Sequence, residues 1–295
     1  MRDIICRPAT LLFGAVLAIL STPTACAAAP ASPDEILAAS PASDWAPLDP
    51  ANTLYMDVSG GRVVILLAPR FAPKTIANIK ALVAKRYFDD SAIVRSQDNY
   101  VVQWAQSDDR EKAEANQKGY AEFESPLSES FVALPDLDTY ALKTGFDGDF
   151  PAATDGTSEW LTHCYGMVGV GRDTAPDSGT GVELYAVTGQ APRHLDRNIT
   201  LVGRVVQGME HLSALPRGTG TLGFYERPEQ RTKVLSIGFA SDLPLAQQAH
   251  WEYLKTDSPT FKAYIEARRN RSKGWFIRPA GHIDVCNIPL PIRLH

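Results

Sequence analysis

The sequence predicts a mostly β protein built around a closed antiparallel barrel of about eight strands, capped by helices and followed by a helical C-terminal extension. Short runs of β-branched and aromatic residues recur between residues 53 and 239. Turn residues separate these runs, and helical spacing interrupts them at only two places. Closing such a sheet into a barrel leaves no strand edge unpaired.

The first part of the predicted barrel is a hairpin followed by a helix. Residues 55–58 and 62–67 are β-branched runs on either side of Gly60 and Gly61, as in two antiparallel strands joined by a tight turn. Pro73 then begins a helix with one apolar stripe, formed by Ile76, Ile79, Leu82, Val83 and Tyr87. Further strands are predicted at residues 182–187, 200–206 and 232–239, and a short helix at 209–215.

Residues 91–105 are the stretch around which the predicted barrel is organised. Their pattern predicts a second hairpin, with turn residues at 96–99. Arg95 and Gln103 lie on its strands, and both are costly to bury without a role. Strand alternation places Arg95 on the face of Ile93, and Gln103 on the face of Val101. We expect Arg95 and Gln103 on an inward face, although alternation alone leaves open which face lines a pocket.

Several blocks of the sequence resemble one known family. They are YFDD at 87–90, VR at 94–95 and NYVVQ at 99–103, together with GGRVVILLAPRFAPKT at 60–75, GMVGVGR at 166–172 and LDRNITLVGRVVQGMEHL at 195–212. The residues in these blocks and the order of the blocks resemble those of cyclophilin-type peptidyl-prolyl cis-trans isomerases. The resemblance implies a cyclophilin-like barrel over residues 53–242.

The resemblance also implies an enzyme that catalyses rotation about X-Pro peptide bonds without a cofactor, metal or nucleotide. Arg95 matches the family's catalytic arginine, and Gln103 matches the glutamine that holds the peptide or orients the arginine. The expected partners are proline-containing polypeptides, whose pyrrolidine ring needs an apolar pocket. The residues at the matching substrate-binding positions are Tyr100, Val101, Gly171, Glu183, Tyr185, His194, Leu195 and Ile199.

Some of these positions depart from the family's usual residues. Glu183 places a carboxylate where the family has a neutral amide, and Trp104 replaces the first of two glycines. Tyr100 and Tyr185 add phenolic oxygens to the pocket. A carboxylate beside Arg95 could orient the guanidinium or occupy it. Two hypotheses are therefore open: an active isomerase, or a chaperone or scaffold module that binds proline peptides with little or no turnover.

The first 29 residues have the layout of a secretory signal peptide, with early arginines, an apolar run at 11–20 and small residues at 25–29. The protein is therefore expected to be exported, to the periplasm of a bacterium. We expect no membrane span, because the apolar run is shorter than the roughly 20 residues that a span needs. Pro23 lies where a lipid-attachment signal has an aliphatic residue, which disfavours lipid anchoring at Cys26.

Three segments lie outside the predicted barrel strands. Residues 30–52 are rich in Ala, Pro, Ser and Asp, and are predicted to be a linker without its own core. Residues 106–164 are predicted to be an enlarged surface insertion near the pocket mouth. Residues 243–295 are predicted to be an extension that is helical over 243–270, because its aromatic residues fall on apolar stripes.

The remaining sequence features concern the cysteines, the net charge, the histidines and the oligomeric state. Cys6 and Cys26 leave with the signal peptide, so an oxidising compartment predicts a disulfide between Cys164 and Cys286. The formal net charge of -5 does not favour nucleic-acid binding. The six histidines lack metal-ligand spacing and are interpreted as surface or packing residues. The protein is expected to be a monomer.

Overall fold

The computed structural model describes residues 31–106, 114, 118–272 and 275–295, so the predicted signal peptide lies outside the described residues. The described residues form these helices and strands in chain order: α1 (Pro33–Ala38), β1 (Trp45–Pro47), β2 (Thr53–Val58), β3 (Gly61–Leu67), α2 (Pro73–Ala84), β4 (Ser91–Ser96), β5 (Val101–Ala105), β6 (Ser125–Pro126), β7 (Phe131–Ala133), β8 (Lys143–Asp147), β9 (Phe150–Thr154), β10 (Ser158–Leu161), β11 (Met167–Val170), β12 (Leu184–Val187), β13 (Leu201–Gln207), α3 (Met209–Ser213), β14 (Lys233–Phe239), β15 (Trp251–Leu254), α4 (Pro259–Arg269) and β16 (Ile292–Leu294).

Eight of these strands close into a barrel in the order β11-β12-β5-β4-β14-β2-β3-β13, and β13 pairs back with β11. All of the barrel pairings are antiparallel, which confirms the predicted fold class. The predicted first helix is α2, and its buried Ile76, Ile79 and Leu82 belong to the same hydrophobic cluster as the inward side chains of the strands. The barrel therefore has a continuous apolar interior with α2 packed against it.

The insertion forms a second layer instead of a surface loop. Its strands build a five-stranded sheet in the order β6-β10-β9-β8-β7. Buried Phe146 and Ala152 of this sheet share a hydrophobic cluster with Val101 and Leu201 of the barrel. The insertion also supplies the cap of α2, because Glu122 accepts from the backbone N–H groups of Lys74 and Thr75, at 3.0 and 2.8 Å. The prediction that the insertion lies on the surface was therefore wrong, because side chains of its sheet are buried together with side chains of the barrel.

The predicted linker is part of the folded structure. Trp45 is only 9% exposed, and its strand β1 pairs with β15, which in turn pairs with β16. The described part of this segment, residues 31–52, therefore contributes a core position, contrary to the sequence prediction. Their Ala-, Pro- and Ser-rich composition hides the single short strand that contains the buried tryptophan.

The C-terminal extension is only partly helical. The helix α4 forms as expected, with Pro259 at its first turn and the Ser258 side chain accepting from the Phe261 N–H. Residues 251–254 form a strand instead of a helix, because their backbone pairs with β1 on one side and β16 on the other. Within the described ranges, no helix is long and apolar enough to cross a bilayer.

The predicted pair of cysteines is joined in the structure. Cys164 and Cys286 form a disulfide with their Cα atoms 4.8 Å apart, and 122 positions separate them in the sequence. Cys164 lies three residues before the barrel strand β11, while Cys286 lies in the extension. The bond therefore fastens the extension to the barrel.

Replacing both Cys164 and Cys286 by serine is expected to lower the free energy of unfolding by about 4 kcal/mol, because the cross-link closes a long loop in the unfolded chain. Denaturant unfolding of both proteins, with and without a reductant, measures the effect. The reductant should destabilise the wild type and leave the double serine variant unchanged. Two titratable thiols in the untreated folded protein, or equal stability of the two proteins, would contradict the cross-link.

Candidate active site

An irregularity in β4 turns Arg95 to the outside of the barrel. Ile93 pairs with Trp104 and Arg95 pairs with Gln103, so the register shifts by one residue between them, at Val94. Ile93 and Trp104 are fully buried in the barrel interior. Arg95 and Gln103 consequently lie on the outer face. The expectation of an inward face shared by Ile93 and Arg95 was wrong, because alternation assumes a strand without an extra residue.

The Arg95 guanidinium is held by three neighbours. Its Nε donates to the backbone carbonyl of Leu222 at 2.7 Å. Its Nη1 donates to Gln103 Oε1 at 3.3 Å, and its Nη2 donates to Gln97 Oε1. Three contacts in different directions fix both the position and the plane of the guanidinium. Leu222 and Gln97 were not predicted from the sequence, since a backbone carbonyl 127 positions away leaves no sequence signal.

Two aromatic rings pack close to this group. The guanidinium carbon of Arg95 lies 5.4 Å from the centre of the Tyr100 ring and 5.3 Å from that of Phe224. Partial burial lowers the pKa of Arg95, while Tyr100 and Glu183 act in the opposite direction. An arginine tolerates such burial in its charged form. The site therefore contains a fixed cation at the edge of the protein.

Gln103 lies between Arg95 and Glu183. Its Oε1 accepts from Arg95, while its Nε2 donates to Glu183 Oε2 at 2.6 Å. The carboxylate accepts only, so it sets which end of the amide faces Arg95. Gly171 makes room for this arrangement, because a Cβ at that position would lie 2.7 Å from Glu183 Oε2. The predicted residues Gly171 and Glu183 are thus neighbours of the predicted glutamine.

The other predicted substrate-binding residues form an apolar cluster beside Arg95, Gln103 and Glu183. Val101 and Tyr185 are almost completely buried on the outer face of the barrel. The rings of Tyr100 and His194 stack with their centres 6.4 Å apart. Ile199 and Tyr100 pack against the same hydrophobic cluster as Val101 and Tyr185. Leu195 follows His194 in a short turn of helix and is partly buried.

Trp104 does not belong to the site. Its side chain is 0% exposed and lies in the barrel interior, opposite Ile93 of the neighbouring strand β4. The replacement of a family glycine by tryptophan therefore fills the core and leaves the outer surface unaffected.

His163 was interpreted as a packing residue, but it contacts the predicted pocket directly. Its Nε2 lies 2.9 Å from the Tyr185 hydroxyl, and its Nδ1 lies 3.0 Å from Asp196 Oδ1. No sequence spacing indicates this pairing, since the residues come from separate segments. Among the described residues, no group of His, Cys, Asp and Glu could hold a metal ion.

One family match and one structural match agree with this architecture. Residues 53–239 match the family described as cyclophilin type peptidyl-prolyl cis-trans isomerase/CLD. The chain is similar in structure to cyclophilin AquaCyp293 from Hirschia baltica, with a TM-score of 0.69 and 23% identity over 88% of this chain and 96% of that one. A cyclophilin type peptidyl-prolyl cis-trans isomerase from Cryptosporidium parvum, solved with the dipeptide Ala-Pro, matches with a TM-score of 0.41 and 12% identity over 63% of this chain and 98% of that one. No curated protein matches the chain.

The matched range contains the eight barrel strands together with Arg95, Gln103 and the predicted pocket residues. It covers more than half of the chain. The protein therefore belongs to the cyclophilin-type peptidyl-prolyl cis-trans isomerases.

Proposed function

We propose that this protein catalyses cis–trans isomerisation of X-Pro bonds in exported polypeptides, with Arg95 as the catalytic residue. The observation that carries the proposal is a fixed guanidinium beside an apolar surface. Three of the five N–H donors of Arg95 are engaged by Leu222, Gln103 and Gln97. Within the described part of the chain, two donors remain for a substrate.

The chemistry follows from the electronic structure of the amide. Rotation about an X-Pro bond has a barrier of about 20 kcal/mol, because the nitrogen lone pair is delocalised into the carbonyl. In the twisted state the lone pair is localised on the prolyl nitrogen, which then becomes a hydrogen-bond acceptor. A guanidinium N–H placed beside that nitrogen binds the twisted state better than either planar isomer. Such a bond lowers the barrier without a covalent intermediate.

Gln103 and Glu183 support Arg95 in this role. The two amide ends of Gln103 face opposite partners, so a 180° flip of the amide would break both bonds. The short bond to the Glu183 carboxylate opposes that flip. Gln103 Oε1 therefore stays directed at Arg95, and the guanidinium needs little reorganisation when the substrate twists.

The pocket residues would hold the proline ring. Partly exposed Tyr100 and Ile199 offer the apolar surface, and the almost completely buried Val101 and Tyr185 belong to the same hydrophobic cluster. His194, which stacks on Tyr100, forms one border of it. Burying a pyrrolidine ring against such a surface contributes binding free energy that does not depend on the isomer. We therefore assign recognition to these residues and rate acceleration to Arg95.

The proposed location is the periplasm, and two features support it. Residues 1–29 have the pattern of a signal peptide, although they lie outside the described residues. A disulfide between Cys164 and Cys286 is typical of an oxidising compartment. We further propose that the protein acts as a monomer on proline-containing segments and does not bind nucleic acid.

A second candidate function is binding without turnover. Three donors of Arg95 are already engaged, and Leu222 and Gln97 would hold the guanidinium back from a substrate if they prevented its approach. The protein would then act as a chaperone or scaffold that grips proline-containing peptides. The following experiment separates the two functions.

Arg95→Ala is expected to lower kcat/KM for a short Ala-Pro peptide by about 10²–10³-fold, since its hydrogen bond forms mainly in the transition state. Peptide binding should change by about threefold or less. Arg95→Lys should not restore turnover, because lysine lacks the planar fork. Cis-to-trans relaxation and a binding titration on the same samples measure both quantities. A wild type that binds the peptide without accelerating relaxation would favour the binding module.

Glu183→Leu is expected to lower kcat/KM by about tenfold, because Gln103 loses a charged acceptor and its amide becomes free to flip. Glu183→Gln is the matched control, since it retains an acceptor oxygen and should lose less activity. The same relaxation assay applies to both variants. Faster turnover in Glu183→Leu would show that the carboxylate restrains Arg95 instead of positioning it.

A further inference from the structure

A row of buried polar side chains connects the insertion with the pocket. The guanidinium of Arg193 lies between two carboxylates, with both Nη atoms 3.1 Å from Asp138 oxygens and Nε 2.5 Å from Asp196 Oδ2. Asp196 Oδ1 lies 3.0 Å from His163 Nδ1, and His163 Nε2 lies 2.9 Å from the hydroxyl of Tyr185. We call these five residues the polar row. Only His163 among its other members has a hydrogen-bond contact with Tyr185.

The polar row is built from groups that are rarely buried. The side chains of Arg193 and Asp138 are each 3% exposed, that of Asp196 is 7% exposed, and that of His163 is 0% exposed. Burying such groups is costly unless every one is paired. Asp138 and His163 come from the insertion, whereas Tyr185 lies in the barrel strand β12 and Asp196 follows the helical turn at Arg193–Leu195. The row therefore ties the insertion to the substrate surface.

The partners fix where the protons lie. Asp196 is paired with Arg193 and accepts from both the backbone N–H and the ring of His163, so Nδ1 of the ring carries the hydrogen. Burial lowers the pKa of His163 and raises the pKa of Tyr185, which keeps the imidazole neutral and the phenol protonated. His163 Nε2 is then an acceptor, and the Tyr185 hydroxyl donates to it.

The backbone leaves space for one orientation of Tyr185. Gly169 in β11 lies opposite Tyr185 in the sheet register. A Cβ at Gly169 would collide with the Tyr185 hydroxyl and with the adjoining ring carbons, so the ring crosses directly over this glycine. The Tyr185 and His163 rings are nearly parallel, with 13° between their planes. Space at Gly169 and an acceptor at His163 together select this position.

We infer that His163 is a positioning residue that holds Tyr185 against Gly169 and thereby keeps the ring out of the proposed proline-binding surface, with the polar row anchoring His163 to the insertion. Without the acceptor, the buried phenol would lose its hydrogen bond, and rotation toward the solvent would recover one. The displaced ring would then project into the surface that we propose for the pyrrolidine ring. This inference rests on the proposed function of the surface beside Tyr100 and Ile199.

The inference predicts which kinetic constant changes. Arg95 is not a member of the polar row, so the transition-state hydrogen bond would remain in the fraction of molecules whose pocket is open. A His163 variant that lacks the acceptor should therefore raise KM and leave kcat nearly unchanged. A residue that only holds the insertion in place would affect stability without this division between the constants.

The matched variants are His163→Asn and His163→Gln. The asparagine amide can replace Nδ1 toward Asp196 but does not reach Tyr185, whereas the glutamine oxygen can replace Nε2 as the acceptor. We expect His163→Asn to raise KM about fivefold to tenfold, with kcat within about twofold, and His163→Gln to remain close to wild type. In a Tyr185→Phe background, His163→Asn should cause no further change in KM.

Two outcomes would overturn the inference: equal KM values for His163→Asn and His163→Gln, or an undiminished effect of His163→Asn in the Tyr185→Phe background. If the wild type binds the Ala-Pro peptide without turnover, the proposed enzyme function fails, and the dissociation constants of the same variants test His163 in place of KM. If His163→Asn does not fold, the ring-nitrogen NMR spectrum of the wild type decides. A hydrogen on Nδ1 and none on Nε2 supports the inference, and the opposite tautomer overturns it.

Discussion

The register shift at Val94 in β4 is the constraint on which the candidate site depends. Side chains alternate along a strand, so one extra residue moves every following side chain to the other face. Ile93 remains in the barrel interior while Arg95, two positions later, faces outward opposite Gln103. Gln103 is in turn opposite Tyr185 in the next strand. Without the shift, the guanidinium would enter the apolar interior of the barrel.

The outer face of a small barrel would ordinarily be exposed to water. Here the insertion sheet and the C-terminal extension cover much of it, through the cluster that joins Val101 and Leu201 to Phe146 and Phe261. Glu122 caps α2, and the disulfide fastens the extension. The second layer therefore belongs to the same folded unit as the barrel. It also contacts the candidate site, through His163 and Tyr185.

The sequence predicted the family, the barrel and the proximity of Arg95 to Gln103, because these depend on local motifs and on residue types. It did not predict the face of Arg95, since no residue type marks the extra position at Val94. Residues 251–254 were assigned to a helix because their aromatic residues fit a helical stripe, and pairing with distant β1 overrode that preference. The contacts of His163 with Asp196 and Tyr185 were not predicted, because these residues are brought together only by the fold.

A crystal structure of the protein with a bound Ala-Pro peptide tests the central claim most directly. We expect the pyrrolidine ring to lie against the cluster of Tyr100, Ile199, Val101 and Tyr185, with a free N–H of Arg95 within about 3.5 Å of the prolyl nitrogen. Gln103 should retain its contacts with both Arg95 and Glu183. A peptide bound to another surface, or an Arg95 turned away from the prolyl nitrogen, would contradict the account.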